Sequence, residues 1–579
     1  RLLILYGSQT GCAADVAERI RRAAKRRHYQ PALFALDDYD RTQLIEERLV
    51  LFIVSTTGQG EEPDNMKKFW RFLLRKDLPR HALAQMEYSV FGLGDSSYEK
   101  FNYPAKKLYK RLQQLGGQPF HARGDGDDQH YLGMDGALDP WLDAVWRILG
   151  ERFPLPEGCS DIDDGVLYPL YFPISFVEGD AAISTMAGSP HAGDHLARLT
   201  RNERVTPTSH FQDVRLVELK FDQLPVYEPG DIIDIMPENR PTDVEAFLDY
   251  IGLLDEADRP IRINYPLPGG LVGATLTLRS LCRYWLDVFS VARRSFFEIT
   301  AHFAQDPEQA EKLHYFSSAA GQDDLYAYCY RMRRTAFEIL QDFNSVRVPL
   351  AYLLEMFPFL RPRSFSIASS AQVCMHTDSI QLLIGIVKYR TRMATPRTGV
   401  FTRWLADMPT DISDASTLPI WIRRGTLRLP PAGPIILIAP GLGLAPMRAL
   451  LEERLARQQH DNILIFGCRH QRADFYFNEQ WRAMCEQGTL QLFTAFSRDQ
   501  EEKRYVQHAI IDEAALLWTA IHERQGSIYL CGKAKRMPED VADAFCRVFM
   551  EHGRLSQEEA HALMVTLKRT GRYQQECWD

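Results

Sequence analysis

LLILYGSQTGCAADVAERI, Leu2 to Ile20, runs from an unbroken apolar stretch through a small polar loop into residues of helical period. The same order returns twice before Gly150, with LVLFIVS (49–55) and YSVFGLG (88–94) as the apolar stretches. Short apolar runs alternating with helical segments predict a parallel sheet, and such sheets hold ligands at the carboxyl ends of their strands. From Pro434 onward the rhythm resumes in PIILIAPGLGLAPMRALLEE, NILIFGC and SIYLCG, which predicts a second sheet of the same kind.

Between these halves the pattern changes. Residues 151–194 are rich in proline, glycine, serine and acid and keep no period, so they read as a linker. From about His195, alternating stretches such as VRLVELKFD and IQLLIGIVKY flank a middle, about 242–342, rich in Leu, Phe, Tyr and Arg. A β-barrel over 195–425 carrying an all-helical insertion fits this order, with modules at 1–150 and 426–579 on either side. A chain of 579 residues is too long for one core, so several domains are expected.

Net charge −8 and a pI near 6.1 argue against nucleic acid as the partner and permit docking to a basic one. The ten cysteines show neither C-x-x-C nor zinc-like spacing, which implies reduced thiols, a cytoplasmic setting and no metal site. The apolar runs are too short to span a bilayer, so no membrane segment is expected; with no initiator methionine, a removed amino-terminal extension stays open.

Three loops in the first module carry chemistry. SQTG, Ser8 to Gly11, brings hydroxyls and backbone N–H groups to a helix amino terminus, the make-up of a phosphate cradle. Alone, it also reads as a capped turn. STTGQGEEPDN (55–65) and FGLGDSSYEKFN (91–102) likewise follow apolar strands, so all three loops share one crevice. The second offers small residues against which a flat ring can lie, while Tyr98 and Phe101 offer aromatic faces.

These words, in this order, resemble the flavodoxin-like FMN domain of the diflavin reductases. The resemblance assigns Ser8, Gln9, Thr10, Gly11, Cys12 and Ala13 to the FMN phosphate and Ser55, Thr56, Thr57 and Gly58 to the ring edge. It gives the stacking wall to Leu93, Gly94, Asp95, Ser96, Ser97, Tyr98, Glu99, Lys100, Phe101 and Asn102, and the ribityl chain to Asp128. Cys12 departs from the family's usual threonine.

RPRSFSIASS (361–370) is similar to the FAD motif of ferredoxin-reductase-like domains, implying Arg363 for the pyrophosphate, Ser364 beside it, Phe365 for stacking and Ser366 near the reactive flavin nitrogen. TGVFTRWL resembles the second FAD loop, at Gly399, Val400, Phe401 and Thr402, and RMRRTAFEIL adds Arg333 and, less securely matched, Arg331. Either arginine also reads as a solvated helix charge. Gly441, Leu442 and Gly443 stand in the strand-to-helix context of a nucleotide loop, with Leu442 replacing the usual threonine.

Ser497, Arg498, Lys503, Arg504, Tyr505, Val506 and Gln507 match the adenosine 2′-phosphate site, with Asp540 further on, which implies NADPH over NADH. Charge-assisted hydrogen bonds there contribute about 1.5–3 kcal/mol each before desolvation. Cys531, Ser366 and Glu576 match the polar set around the hydride path, Glu576 standing where the family usually has aspartate. Trp578 matches the residue whose indole covers the FAD face that the nicotinamide must reach.

The resemblance spans nearly the whole chain and implies a flavodoxin-like doubly wound domain, an FAD-binding β-barrel with its insertion, and an NADP-binding α/β domain. Electrons would pass from NADPH to FAD to FMN to an external acceptor. The compact length, short linker and terminal RYQQECWD look most like the soluble members of cytosolic iron–sulfur cluster assembly, which implies an anamorsin-like iron–sulfur partner. A reductase for a haem-thiolate monooxygenase would share every motif, and a non-catalytic binding module is the remote alternative. Asp95, Glu99, Asp125, Asp127, Asp128 and Asp135 are the candidate acidic docking surface, or simply a solvated face.

Overall fold

Leu2–Gly7 and Leu49–Ser55 bury nearly every residue because helices cover both faces of the sheet they enter, which is why their sequences show no polar alternation. In the computed structural model these strands pair in parallel in the order Pro31–Ala35, Leu2–Gly7, Leu49–Ser55, Glu87–Gly94, Gln118–Pro119, with Gly124–Asp127 also on Glu87–Gly94. The order reverses beside Leu2–Gly7, and the three candidate loops leave the strands at that crevice.

The structure describes residues 1–163, 165–167, 169–170, 174–177, 194–263, 275–375, 377–408 and 417–578. Most of the second half of the expected linker, positions 264–274 of the expected insertion, and Asp579 lie outside the described residues.

Two compact units emerge: one of residues 1–184 and 241–359, the other of 185–240 and 360–579. In the first, the insertion is not wholly helical, as its composition suggested. Pro260–Ile263 pairs antiparallel with Thr275–Thr277 and with Ile174–Phe176, and strands of three or four residues are too short to show a period. The helices pack through aromatic edges, among them Phe247 on Phe337 and Phe357 at centroid distances of 5.7 and 5.5 Å.

The insertion also meets the first helix of the flavodoxin-like body, Cys12–Arg26, through a layer of ions. Arg19 donates to Asp135 (2.7 Å), Arg294 to Asp139 (2.7 Å), Arg22 to Glu298 (2.9 Å) and Ser295 to Asp15 (2.5 Å). Burial pushes the Asp135 carboxyl up, but the Arg19 and Arg294 guanidiniums outweigh it and hold it below the usual carboxylate range. Asp135 is therefore no part of an acidic surface: it is 4% exposed and fully engaged.

In the second unit, six antiparallel strands run Arg363–Ser366, Ile232–Ile235, Thr417–Arg423, His195–Arg204, Val214–Lys220 and Ser379–Gly385. A bridge between Ile367 and Leu382 nearly closes them into a barrel. Five parallel strands follow in the order Gln491–Phe496, Asn462–Cys468, Ile435–Pro440, Ser527–Lys533, Tyr573–Trp578. Barrel and sheet are joined by buried polar contacts: Arg448 donates to the Ala368 carbonyl (2.9 Å), and Ser370 Oγ to Glu453 (2.7 Å).

Candidate functional sites

In the first unit the helix Cys12–Arg26 starts at Gly11, held at φ 86°, a left-handed conformation that glycine adopts without strain, and no side chain among the described residues caps it. The loop before it is tied down from behind. Gly11 N–H donates to Ser8 Oγ (2.9 Å), Ser8 N–H to Asn65 Oδ1 (2.8 Å) and Gln9 N–H to Ser55 Oγ (3.3 Å). Asn65 has no visible role in the sequence, because a lone Asn at the end of a loop carries no motif.

The second loop is braced by Glu61, whose carboxylate takes the Gln59 N–H (2.5 Å) and whose acid strength is weakened chiefly by burial. The third is folded by its own acids. Asp95 accepts from Ser97 N–H (2.7 Å), and Asp127 from Ser96 N–H (2.9 Å) and Gln129 N–H (3.0 Å). Burial raises the Asp127 carboxyl, but these donors carry it below its ordinary value. Asp125 is clasped by Arg123 at 2.7 and 3.0 Å, and of the six proposed surface acids Glu99 and Asp128 are the most exposed.

Tyr98 and Phe101 sit half-buried in this loop, and Lys106 Nζ lies 5.0 Å from the Phe101 ring centre. Lining the crevice, Thr56 Oγ1 and Asn102 Oδ1 are buried with no hydrogen-bond partner among the described residues. Buried polar atoms are nearly always satisfied, so these two suit a ligand with donors of its own.

The second unit gathers its chemistry where barrel and nucleotide-type sheet meet. Ser366 ends a barrel strand, and its Oγ donates to Glu576 Oε1 (2.9 Å); Thr426 Oγ1 donates to Glu576 Oε2 (3.0 Å). Glu576 pairs in strand register with Cys531, which is wholly buried. Burial first, then the neighbouring Glu576 and Cys577, carry the Cys531 thiol well above its usual range, so it stays protonated. Thr426 escaped sequence reading because a lone threonine after a strand belongs to no motif.

Gly441, Leu442 and Gly443 form a turn entering the helix Leu444–Ala456, which again lacks a side-chain cap among the described residues. A Cβ at Gly443 would stand 1.9 Å from the Cys531 carbonyl oxygen, so only glycine fits. Leu442 occupies the place against Gly385 of the barrel. Trp578 is half-buried, packs on the core that holds Cys531, and its carbonyl accepts from Ala534 N–H (2.7 Å).

Arg363 donates to the Arg361 carbonyl (2.8 Å), Ser364 Oγ accepts from Arg423 (2.9 Å), and the Phe365 ring lies 5.0 Å from Phe401. Phe401 and Thr402 turn into the protein, 2% and 6% exposed, while Gly399 and Val400 are half-buried. Arg331 and Arg333 are exposed and belong to the first unit. Ser497 is buried beside exposed Arg498, Lys503, Arg504 and Tyr505, and Gln507 reaches Asp540 at 3.4 Å. Arg469, missed in the sequence, lies 3.5 Å above the Phe211 ring, and its carbonyl accepts from Arg498 N–H.

Comparison with known proteins decides what this arrangement is. A flavodoxin family model matches residues 4–141, an FAD binding domain 191–404 and an oxidoreductase NAD-binding domain 437–543. The chain is 43% identical over 600 residues to NADPH-dependent diflavin oxidoreductase 1 of Xenopus laevis, covering 100% of this chain and 99% of the relative. The proteins of the same name from Mus musculus and Schizosaccharomyces pombe are 42% and 37% identical, again over 100% of this chain and 99% of each relative.

The chain belongs to the NADPH-dependent diflavin oxidoreductases. It is an enzyme of three cofactors, FMN, FAD and NADPH, that moves electrons to an acceptor. Two uncapped helix amino termini and an exposed basic cluster fit phosphate-bearing groups, and the two buried oxygens of the flavodoxin crevice without a partner among the described residues fit a ligand that also carries donors. No helix among the described residues is long and apolar enough to cross a membrane.

Proposed function

We propose that the acceptor is an iron–sulfur protein of the anamorsin kind and that the enzyme serves cytosolic iron–sulfur cluster assembly. Two bound flavins let a two-electron nicotinamide donor serve a one-electron acceptor, and the protein supplies orientation and electronics. What supports an electron-transfer role for this chain is the shared carboxylate of Glu576, which ties Ser366 of the barrel to Thr426 beside a buried thiol. A reaction between a flavin in the barrel and a nucleotide on the sheet would take place at this junction.

In this reading Ser8 to Ala13 hold the FMN phosphate with Ser55 to Gly58 and Leu93 to Asn102 around the ring and Asp128 nearby. Arg363 to Ser366 and Gly399 to Thr402 hold FAD, with Arg331 and Arg333 as further candidates. Gly441 to Gly443, Ser497, Arg498, Lys503 to Gln507 and Asp540 hold NADPH, and Trp578 gates the flavin face. The acceptor is tested by comparing turnover with an iron–sulfur protein against a haem-thiolate monooxygenase at equal enzyme and salt. Faster reduction of the monooxygenase would replace this acceptor with the other.

Trp578→Ala is expected to raise the NADH-to-NADPH ratio of kcat/KM about three- to tenfold. Aromatic stacking contributes about 0.5–1.5 kcal/mol beyond area burial; a ring that must be displaced costs NADH this amount in full, whereas NADPH, anchored by its 2′-phosphate, is already committed to reduction once bound and gains less from removal of the ring. Steady-state rates with both nucleotides check it, and an unchanged ratio removes the gate.

A further inference from the structure

The FMN phosphate loop contains no basic side chain: Ser8 to Ala13 read SQTGCA, and the nearest charge on the helix behind them is the carboxylate of Asp15. A dianionic phosphate placed there meets N–H groups and a helix dipole worth about half a charge. The missing positive charge comes from 282 positions later in the chain. Arg293, on the insertion, donates Nη1–H to the Gly11 carbonyl (2.9 Å) and Nη2–H to the Thr10 carbonyl (3.2 Å).

Those two carbonyls belong to the peptides whose N–H ends are Gly11 and Cys12. In a planar peptide C=O and N–H point in opposite directions, so a fork that grips both carbonyls from outside turns both N–H groups toward the loop's interior, where the Gly11 N–H holds Ser8 Oγ (2.9 Å) in place and the Cys12 N–H is directed to the phosphate position. A cation at the carbonyl end also polarises each peptide, strengthening the hydrogen bonds its N–H can donate. The neighbouring groups hold the fork in place: Ser295 bonds Asp15, and Arg294 is engaged by Asp139.

We propose that Arg293 is a positioning residue for the FMN phosphate, acting through the Thr10 and Gly11 carbonyls, so that the insertion and not the flavodoxin-like body alone sets FMN affinity. The inference rests on the assignment of Ser8 to Ala13 to the phosphate. Its consequence is selective: the insertion discriminates FMN from riboflavin, which has the same ring and no phosphate.

The test uses the full chain, stripped of FMN with FAD retained, and measures FMN and riboflavin binding by flavin fluorescence. Arg293→Ala is expected to weaken FMN about tenfold or more and riboflavin less than about twofold, with the FMN loss shrinking as salt rises. Arg293→Lys, which keeps charge without the fork, should recover part of the FMN affinity. Equal weakening of both ligands, or of neither, overturns the proposal; should Arg293→Ala fold poorly, Arg293→Gln gives the same reading. Thr10→Asp separates the two claims. If it weakens FMN selectively while Arg293 variants do not, the loop assignment stands and the role of Arg293 falls; if it leaves FMN binding unchanged, the loop assignment itself falls, and the proposal with it.

Discussion

Arg294→Ala is expected to lower the unfolding free energy of the unit containing the flavodoxin-like body by about 3–5 kcal/mol, the usual cost of breaking a buried ion pair from one side. The side chain is 8% exposed and its partners Asp135 and Asp139 are 6% and 15% exposed. Its loss also leaves the Ser317 carbonyl, which accepts Nε–H at 2.7 Å, without that donor. The urea midpoint of FMN release, at fixed FMN, measures it. Removing both charges, as in Arg294→Met with Asp139→Leu, should recover more than half of the loss, because no carboxylate at 139 is then stranded.

The same layer predicts the direction of a pH effect. The folded Asp135 carboxyl titrates below its unfolded value, which is about 3.9, so the folded state binds fewer protons there. Its contribution is fully present above about pH 4 to 5 and is lost as pH falls through the folded value. Arg294→Ala should flatten this acid limb, and an unaltered limb would mean that Arg19 alone holds the group.

Glu576→Ala is expected to slow flavin reduction by NADPH about a hundredfold or more, with little change in KM. One carboxylate accepts from Ser366 Oγ and Thr426 Oγ1 at 2.9 and 3.0 Å, and its removal deprives both hydroxyls of their acceptor at once. Positioned acid–base groups contribute about 10²- to 10⁴-fold. Single-turnover absorbance at the flavin band separates this step from acceptor reduction. Glu576→Asp, one methylene shorter, should stay within about tenfold of the parent, whereas Glu576→Gln, acceptor at one oxygen only, should fall between Asp and Ala. A parent-like rate for Glu576→Ala would strip this residue of its role.

The strands of both parallel sheets were legible because burial on both faces leaves a signature that needs no partner: LVLFIVS has nothing polar before its final serine. The loops at their ends were legible because glycine and hydroxyl residues after such runs are local signals. What stayed hidden depends on residues distant in the chain. Asp135 sits in an acidic stretch that reads as solvated, and only folding brings Arg19 and Arg294 to it. Thr426 reaches Glu576, and Arg469 reaches Phe211, from places without a motif, and the burial of Phe401 beside Phe365 cannot be seen in TGVFTRWL. Ile174–Phe176 is a strand by pairing alone, since three residues cannot display alternation.

The ion layer between Cys12–Arg26 and the insertion also bears on how such a chain can change by descent or design. Residues 15, 22, 135 and 139 are answered by 294, 295 and 298, 155 to 280 positions away, so a charge lost on one side is tolerated only with a matching change on the other. A chimera that received a foreign flavodoxin body at the linker would keep every cofactor motif and still carry mismatched charges in its interior. Transplanting the body together with its insertion is the exchange that keeps those charges matched.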